Sequence, residues 1–403
     1  MAHVAGLKSI LAGTSILFIA VMFGNVLNYG YALVLGRFLG PEQYGKYASF
    51  MSLFLMLSLL PLTFQQIGAK YCAEGKSVAR YTTKLALVLG GGMGIALAVF
   101  AQALEKLLNL PASWLIAFAL CFPLYSLLGV FRGEVQGAER FALLGGNMIL
   151  EPSSKILATV AIFSLAKTAT GAVIATLLSL AFASLHLLRQ WPQRVVSALE
   201  RASVNRYAIP SFVNLCAQAL IINVDLLIVN AFLPQEAGLY AAVALLGRVI
   251  FYGSWAIGAA IFPAVAKLGG REALRQQQLL WFAFAGVAMV CGGIIAFCAL
   301  FPEFVLKLLV GSAYLGAAHM LAPYALMTSL YALSHVISNH YLALGYHRAG
   351  YLPFGGALFQ TLLILLFHSS GMEVILVQII AKALLLCFML YFATTGLFLK
   401  GTH

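Results

Sequence analysis

Twelve long apolar runs separated by short polar turns constrain this chain more than any other feature of its sequence. They begin near Ser9, Tyr44, Lys84, Ala112, Phe141, Thr170, Tyr207, Gly238, Leu279, Met320, Tyr351 and Val374. A run of roughly 20 apolar residues crosses the hydrocarbon core of a bilayer as one α-helix, the conformation that satisfies its backbone hydrogen bonds without water. With 62% hydrophobic and 9% charged residues in 403, too little polar surface exists to dress a water-soluble fold. The expected fold class is an all-α polytopic membrane protein of twelve transmembrane helices. Only Lys8 precedes a first run that extends to Leu35, too long for a cleaved signal, so a retained first span is expected.

The charges orient those spans. With both termini inside, sixteen of the 24 Lys and Arg residues fall in cytoplasmic segments, five in outer segments, and Lys155, Arg248 and Lys382 within helices. The positive-inside rule favours that topology. The net charge of +12 therefore faces headgroups, and no basic cluster interleaved with aromatics suggests nucleic acid. The longest polar stretch, Arg189 to Arg206, reads as a basic linker lying along anionic headgroups. The six cysteines lack metal-ligand spacing and read as small hydrophobes. Loops are short, leaving no extramembrane domain to carry chemistry.

The polar turn from Gly36 to Tyr47 recurs in degraded form from Phe232 to Ala241. Skipping Gly40 pairs Phe38 with Phe232, Pro41 with Pro234, Gly45 with Gly238 and Tyr47 with Tyr240. A period of half the chain means a duplicated helix bundle. The expected organisation is a six-helix bundle over 1–190, a linker over 191–206 and a second, pseudo-symmetric six-helix bundle over 207–403.

Two motifs carry a family likeness: Leu39-Gly40-Pro41 with Tyr44-Gly45 and Tyr47 after the first span, and Arg132-Gly133-Glu134-Val135-Gln136-Gly137-Ala138-Glu139-Arg140-Phe141 between the fourth and fifth. In these the chain resembles the polysaccharide and O-antigen (Wzx-type) flippases of the multidrug/oligosaccharidyl-lipid/polysaccharide exporter (MOP) superfamily. The second half is more diverged, with Leu344 to Arg348 a faint echo of Gln136 to Arg140. The resemblance implies two bundles around a central cavity and alternating access. It implies transport of an undecaprenyl-diphosphate-linked oligosaccharide from the inner to the outer leaflet of a bacterial inner membrane, for cell-surface polysaccharide synthesis. Implied partners are that glycolipid, membrane lipids, and the polymerase and chain-length machinery. No cofactor or metal is implied.

Five charges lie within spans: Glu151, Lys155, Asp225, Arg248 and Lys382. Ionisable groups at membrane depth are costly and mark interiors or wet cavities. Two readings stand for the first four. Glu151 with Lys155 at i,i+4, and Asp225 with Arg248 at similar depth, form structural ion pairs, or they serve a substrate. Lys382 has no such partner in its helix. The balance is cationic, which suits a diphosphate, with Arg248 first, Lys382 second and Lys155 third as its contacts. Asn28, Tyr31 and Asn223 offer hydrogen bonds to glycan hydroxyls, or bonds between helices. A multidrug/cation antiporter of the same superfamily would instead use Asp225 or Glu151 as a cation-binding carboxylate. A polyprenyl-glycan ligase would need acid/base residues in a sizeable outer loop, and the sequence has none. His335 and His340, five apart, do not share a helix face, and no catalytic signature is present.

Overall fold

The computed structural model describes residues 2–76, 78–188, 201–268, 273–344 and 351–395. Among these the chain forms α1 (Ala2–Leu57), α2 (Leu59–Ala73), α3 (Ala79–Val99), α4 (Ala101–Leu108), α5 (Ala112–Gly137), α6 (Phe141–Phe163) and α7 (Ala169–Leu188). There follow α8 (Arg201–Phe232), α9 (Ala237–Leu268), α10 (Ala273–Leu300), α11 (Pro302–Leu309), α12 (Ala318–Ala343), α13 (Tyr351–Leu366) and α14 (Gly371–Thr395), with a 3-10 turn at Ser312–Ala317 before α12. No strand occurs among the described residues. Residues 191–200 of the expected linker lie outside the described residues, as do Arg189, Arg271, Arg348 and Lys400, on which part of the expected orientation rests.

Each expected span coincides with a helix, the first two after a break. The apolar stretch Ser15–Ala73 is 59 residues long. As one rod it would reach about 90 Å at ~1.5 Å per residue, three times the ~30 Å hydrocarbon core. Gly40 interrupts it with φ 71° and ψ 172°, a backbone region that only glycine enters without strain. Pro41 follows, with no N–H to continue the ladder and a φ suited to starting the next helix. Later prolines do not break their helices: α5, α6 and α12 run through Pro123, Pro152 and Pro323. The turns after α2 and α5 close alike. Gly75 (φ 75°) and Glu139 (φ 58°) are left-handed, and the next N–H, of Lys76 or Arg140, reaches back to the carbonyl of Tyr71 or Val135.

Two compact units form. The first comprises residues 1–39 and 57–212, the second 40–56 and 213–403. In the first, α5 is central, packed on α2, α3 and α7, while α6 leans on α7. In the second, α12 is central, packed on α9, α10 and α14, while α13 leans on α14. These are equivalent spans in the two halves, and the short helices α4 and α11 sit at equivalent points. The duplication inferred from one turn is thus written through the packing. Residues 40–56 precede the repeat boundary in sequence, yet pack within the second unit.

Large apolar side chains cover the outside, among them Leu120 at 77% and Met289 at 79% exposure, as lipid rather than water requires of its solute. Inside, glycines let helices approach to backbone contact. A Cβ on Gly90 or Gly94 of α3 would meet Ser126 or Ala119 of α5. Gly91, Gly92, Gly286, Gly292 and Gly293 have open space instead, so the packing role expected for the span glycines is confined to some of them.

Candidate functional site

The polar heart of the second unit is built around Asp225 of α8, which is 1% exposed. Its Oδ1 accepts the Leu226 N–H at 2.8 Å, and its Oδ2 accepts the hydroxyls of Tyr240 on α9 at 2.8 Å and Tyr324 on α12 at 3.2 Å. Gln378 of α14 donates to the Tyr240 hydroxyl at 2.9 Å and accepts from Lys382 Nζ at 3.3 Å. A chain of polar groups therefore runs from Lys382 through Gln378 and Tyr240 to Asp225, and spreads the carboxylate charge over three donors. Asp225 and Lys382 also lie within electrostatic reach of one another.

Beside this network lies a narrow cavity. Asp225, Arg248, Tyr324 and Lys382 line it together with Ser52, Thr328 and Tyr331. Arg248, half-buried on α9, is within electrostatic reach of Tyr324 but has no carboxylate in ion-pair contact among the described residues. The ion pair between Asp225 and Arg248 that similar depths allowed is not formed. Two tyrosine hydroxyls occupy the carboxylate instead, and the guanidinium is left to the cavity. Asn223, near Asp225 in sequence, does not line the cavity; its Nδ2 donates to the Ala219 carbonyl of its own helix at 3.1 Å.

The first unit holds two polar clusters. Lys155 of α6 donates to Asn28 Oδ1 of α1 and lies 4.7 Å from the Tyr31 ring centroid, while the Tyr31 hydroxyl bonds Thr159 at 2.8 Å. Three of the expected site residues thus meet in one place. Glu151 is not bonded to Lys155 as the i,i+4 spacing allowed. Arg132 of α5 takes its carboxylate at 2.6 Å and bonds Asn147 Oδ1 through Nε at 2.8 Å, and Asn147 in turn donates to the Ala183 carbonyl of α7 at 2.8 Å. The guanidinium fork reaches carboxylate and amide together, a geometry an ammonium cannot match.

The second motif acquires a physical meaning here. Gly129, Gly133 and Gly137 form one stripe on α5, and a Cβ on them would fall 2.1 Å from the Pro61 oxygen, 2.6 Å from the Gln65 oxygen and 2.6 Å from the Ala69 oxygen of α2. The motif glycines set the α2–α5 crossing, Arg132 ties α5 to α6, and Gln136 accepts a bond from Gln65 at 2.9 Å.

Reading the sequence missed Arg132, placed in a cytoplasmic segment because α5 continues to Gly137 beyond the apolar run. It also missed Tyr240, Tyr324, Gln378, Ser52 and Tyr331. Of these only Tyr240 carried a signal, as the counterpart of Tyr47 in the repeated turn. His335 pairs with Asn339 at 2.9 Å, and the described residues hold no group of three His, Cys, Asp or Glu that could ligate a metal.

The model of the family described as polysaccharide biosynthesis protein matches residues 10–269, more than half of the chain. The chain belongs to that family. No curated protein matches the chain, but solved structures do. An inward-facing multidrug-resistance MATE transporter of the MOP superfamily has a TM-score of 0.78 at 14% identity, over 96% of this chain and 99% of that one. The lipid II flippase MurJ, in an inward closed conformation, has a TM-score of 0.75 at 13% identity, over 97% and 89%. A MOP transporter from Pyrococcus furiosus, whose binding pocket is described as of reverse polarity with a different function suggested, has a TM-score of 0.63 at 16% identity, over 98% and 97%. At such identities the likeness is one of fold. Family and fold together make this chain a multi-pass, all-α membrane protein of the polysaccharide biosynthesis family, with the two-lobed, twelve-helix fold of those transporters.

Proposed function

We propose that this protein is a transporter of the MOP superfamily, a flippase that moves a polyprenyl-diphosphate-linked oligosaccharide from the inner to the outer leaflet for surface polysaccharide synthesis. The observation that carries the reading is the pairing of Arg248 and Lys382 on one cavity, with Arg248 free of any carboxylate contact among the described residues. Among the described residues the sole carboxylate lining that cavity, Asp225, already accepts three hydrogen bonds. A diphosphate supplies the negative charge and acceptor oxygens that such a wall lacks. A diphosphate is larger than the narrow cavity, so it would enter as the cleft widens, and the glycan would extend beyond it. A cation antiporter fits less well, because Glu151 is bound by Arg132 and Asp225 by its tyrosines.

In this reading the repeat halves 1–190 and 207–403, joined by the basic stretch 191–206, work by alternating access in a bacterial inner membrane, with both termini cytoplasmic. The polymerase and chain-length machinery act on the delivered substrate. Lys155, beside Asn28 and Tyr31, is a weaker third contact after Arg248 and Lys382. Each charge exported from a negative interior gains about 2.3 kcal/mol per 100 mV, so a diphosphate needs no coupling ion.

The test is leaflet exchange of a labelled lipid-linked oligosaccharide in proteoliposomes. Arg248→Ala and Lys382→Ala are each expected to slow flipping at least about tenfold, the value of one charge-assisted hydrogen bond, with protein yield and melting temperature retained. Unchanged flipping, or a loss traced wholly to instability, overturns the reading. A sodium or proton gradient requirement at clamped potential would overturn the energetic part alone.

A further inference from the structure

Two hydroxyls lining the cavity, Ser52 Oγ and Tyr331 Oη, have no hydrogen-bond partner among the described residues. Both are buried, Ser52 at 0% and Tyr331 at 2% exposure. A serine in a helix ordinarily returns its hydroxyl to the carbonyl one turn back, as Ser126, Ser329 and Ser334 do here. Ser52 does not. Tyr331 stacks on Phe251 with an interplanar angle of 11°, and that holds its ring against the cavity while leaving its hydroxyl unmatched. An unmet buried hydroxyl costs about 1–3 kcal/mol, and two on the same small cavity point to a ligand that satisfies both.

Charge decides which ligand. Hydroxyl oxygens can ligate a cation or donate to an anion, and Asp225 would join them in the first case. Against that, Arg248 and Lys382 share the cavity, and the carboxylate charge is already spread over three donors. The groups with donor capacity to spare are Ser52, Arg248, Tyr331 and Lys382. We infer that Ser52 and Tyr331 are two further substrate-positioning residues that donate to phosphate oxygens beside Arg248 and Lys382, an inference that rests on the flippase reading above. Ser52 belongs to residues 40–56, while its companions lie beyond residue 213, so an anion seated there bonds that early segment to the rest of its unit.

The experiment uses purified full-length protein at fixed ionic strength, with inorganic pyrophosphate as the probe. Wild type is expected to bind it, with Ser52→Ala and Tyr331→Phe each weakening the affinity about tenfold and slowing flipping of the lipid-linked oligosaccharide to match. Each variant removes a hydroxyl that bonds no other described residue, so melting temperature is expected to hold; should one misfold, the other reads the result. If both variants bind pyrophosphate like wild type while Arg248→Ala loses it, this inference is wrong and the flippase reading stands. If wild type binds no pyrophosphate and Arg248→Ala flips normally, both fall. If sodium stabilises wild type and the two variants weaken that response, the hydroxyls serve a cation and the phosphate assignment is overturned.

Discussion

Replacing Gly129 by alanine tests whether the α2–α5 crossing depends on the absence of a side chain. The added Cβ would stand 2.1, 2.6 and 2.7 Å from the O, C and Cα of Pro61, all backbone atoms with no rotamer to yield. Ordinary contact begins at 3.4 Å, so the helices must part locally by about 1.3 Å. A gap of that size forfeits half or more of each dispersion contact. With roughly 20–30 atom pairs along the crossing at ~0.1–0.2 kcal/mol each, the loss comes to about 2 kcal/mol. That agrees with the usual ~1–3 kcal/mol for overpacking. Gly91 of α3 is the matched control: its Cβ would meet nothing within 4 Å, and alanine there gains about 0.5–1 kcal/mol of helix propensity. The assay is thermal unfolding of detergent-purified protein followed by size exclusion, where Gly129→Ala should melt several degrees below wild type and Gly91→Ala at or above it. Coincident melting of the two variants would refute the argument. So would a Gly133→Ala protein that melts normally yet no longer transports, since the motif glycine would then be serving the substrate.

Arg132→Ala should destabilise by about 1–3 kcal/mol, because it strands the Glu151 carboxylate and the Asn147 oxygen, and adding Glu151→Gln should restore part of that loss in a double-mutant cycle of melting temperatures. Glu139→Gly should stabilise by about 1 kcal/mol, since Glu139 holds φ 58° in an exposed turn where glycine carries no Cβ penalty; an unchanged melting temperature would count against a strained cap. Tyr240→Phe should lower stability more than Tyr331→Phe, because the first hydroxyl bridges Asp225 and Gln378 and the second bridges nothing; equal losses would contradict the polar chain described here.

Helix number and duplication were legible because bilayer thickness imposes a length on every span, and because the turn at Gly40-Pro41 left a readable copy at Pro234. Five intramembrane charges stood out for the same reason: hydrocarbon penalises them and polar residues are few. Their partners were not legible. Spacing along one helix suggested Glu151 with Lys155, but a carboxylate answers to whatever lies across the groove, and Arg132 on α5 lay closer with better-directed donors. Asp225 was drawn likewise to two phenols that no sequence pattern distinguishes from the other tyrosines. Ser52 and Tyr331 had no signature at all, since an unmet hydroxyl is a property of its surroundings.

Residues 40–56 carry a consequence for how the molecule can be divided. The polypeptide passes from one unit to the other three times, after Leu39, after Met56 and after Phe212, rather than once at the linker. A fragment beginning at residue 207 would be a torso missing a rib: the surface at Gly238 that receives Pro41, and the Leu226 carbonyl that receives Ser49, would both lie bare. Severing the linker in the finished protein should leave a molecule that holds together, whereas the two halves made apart must find each other before either is whole.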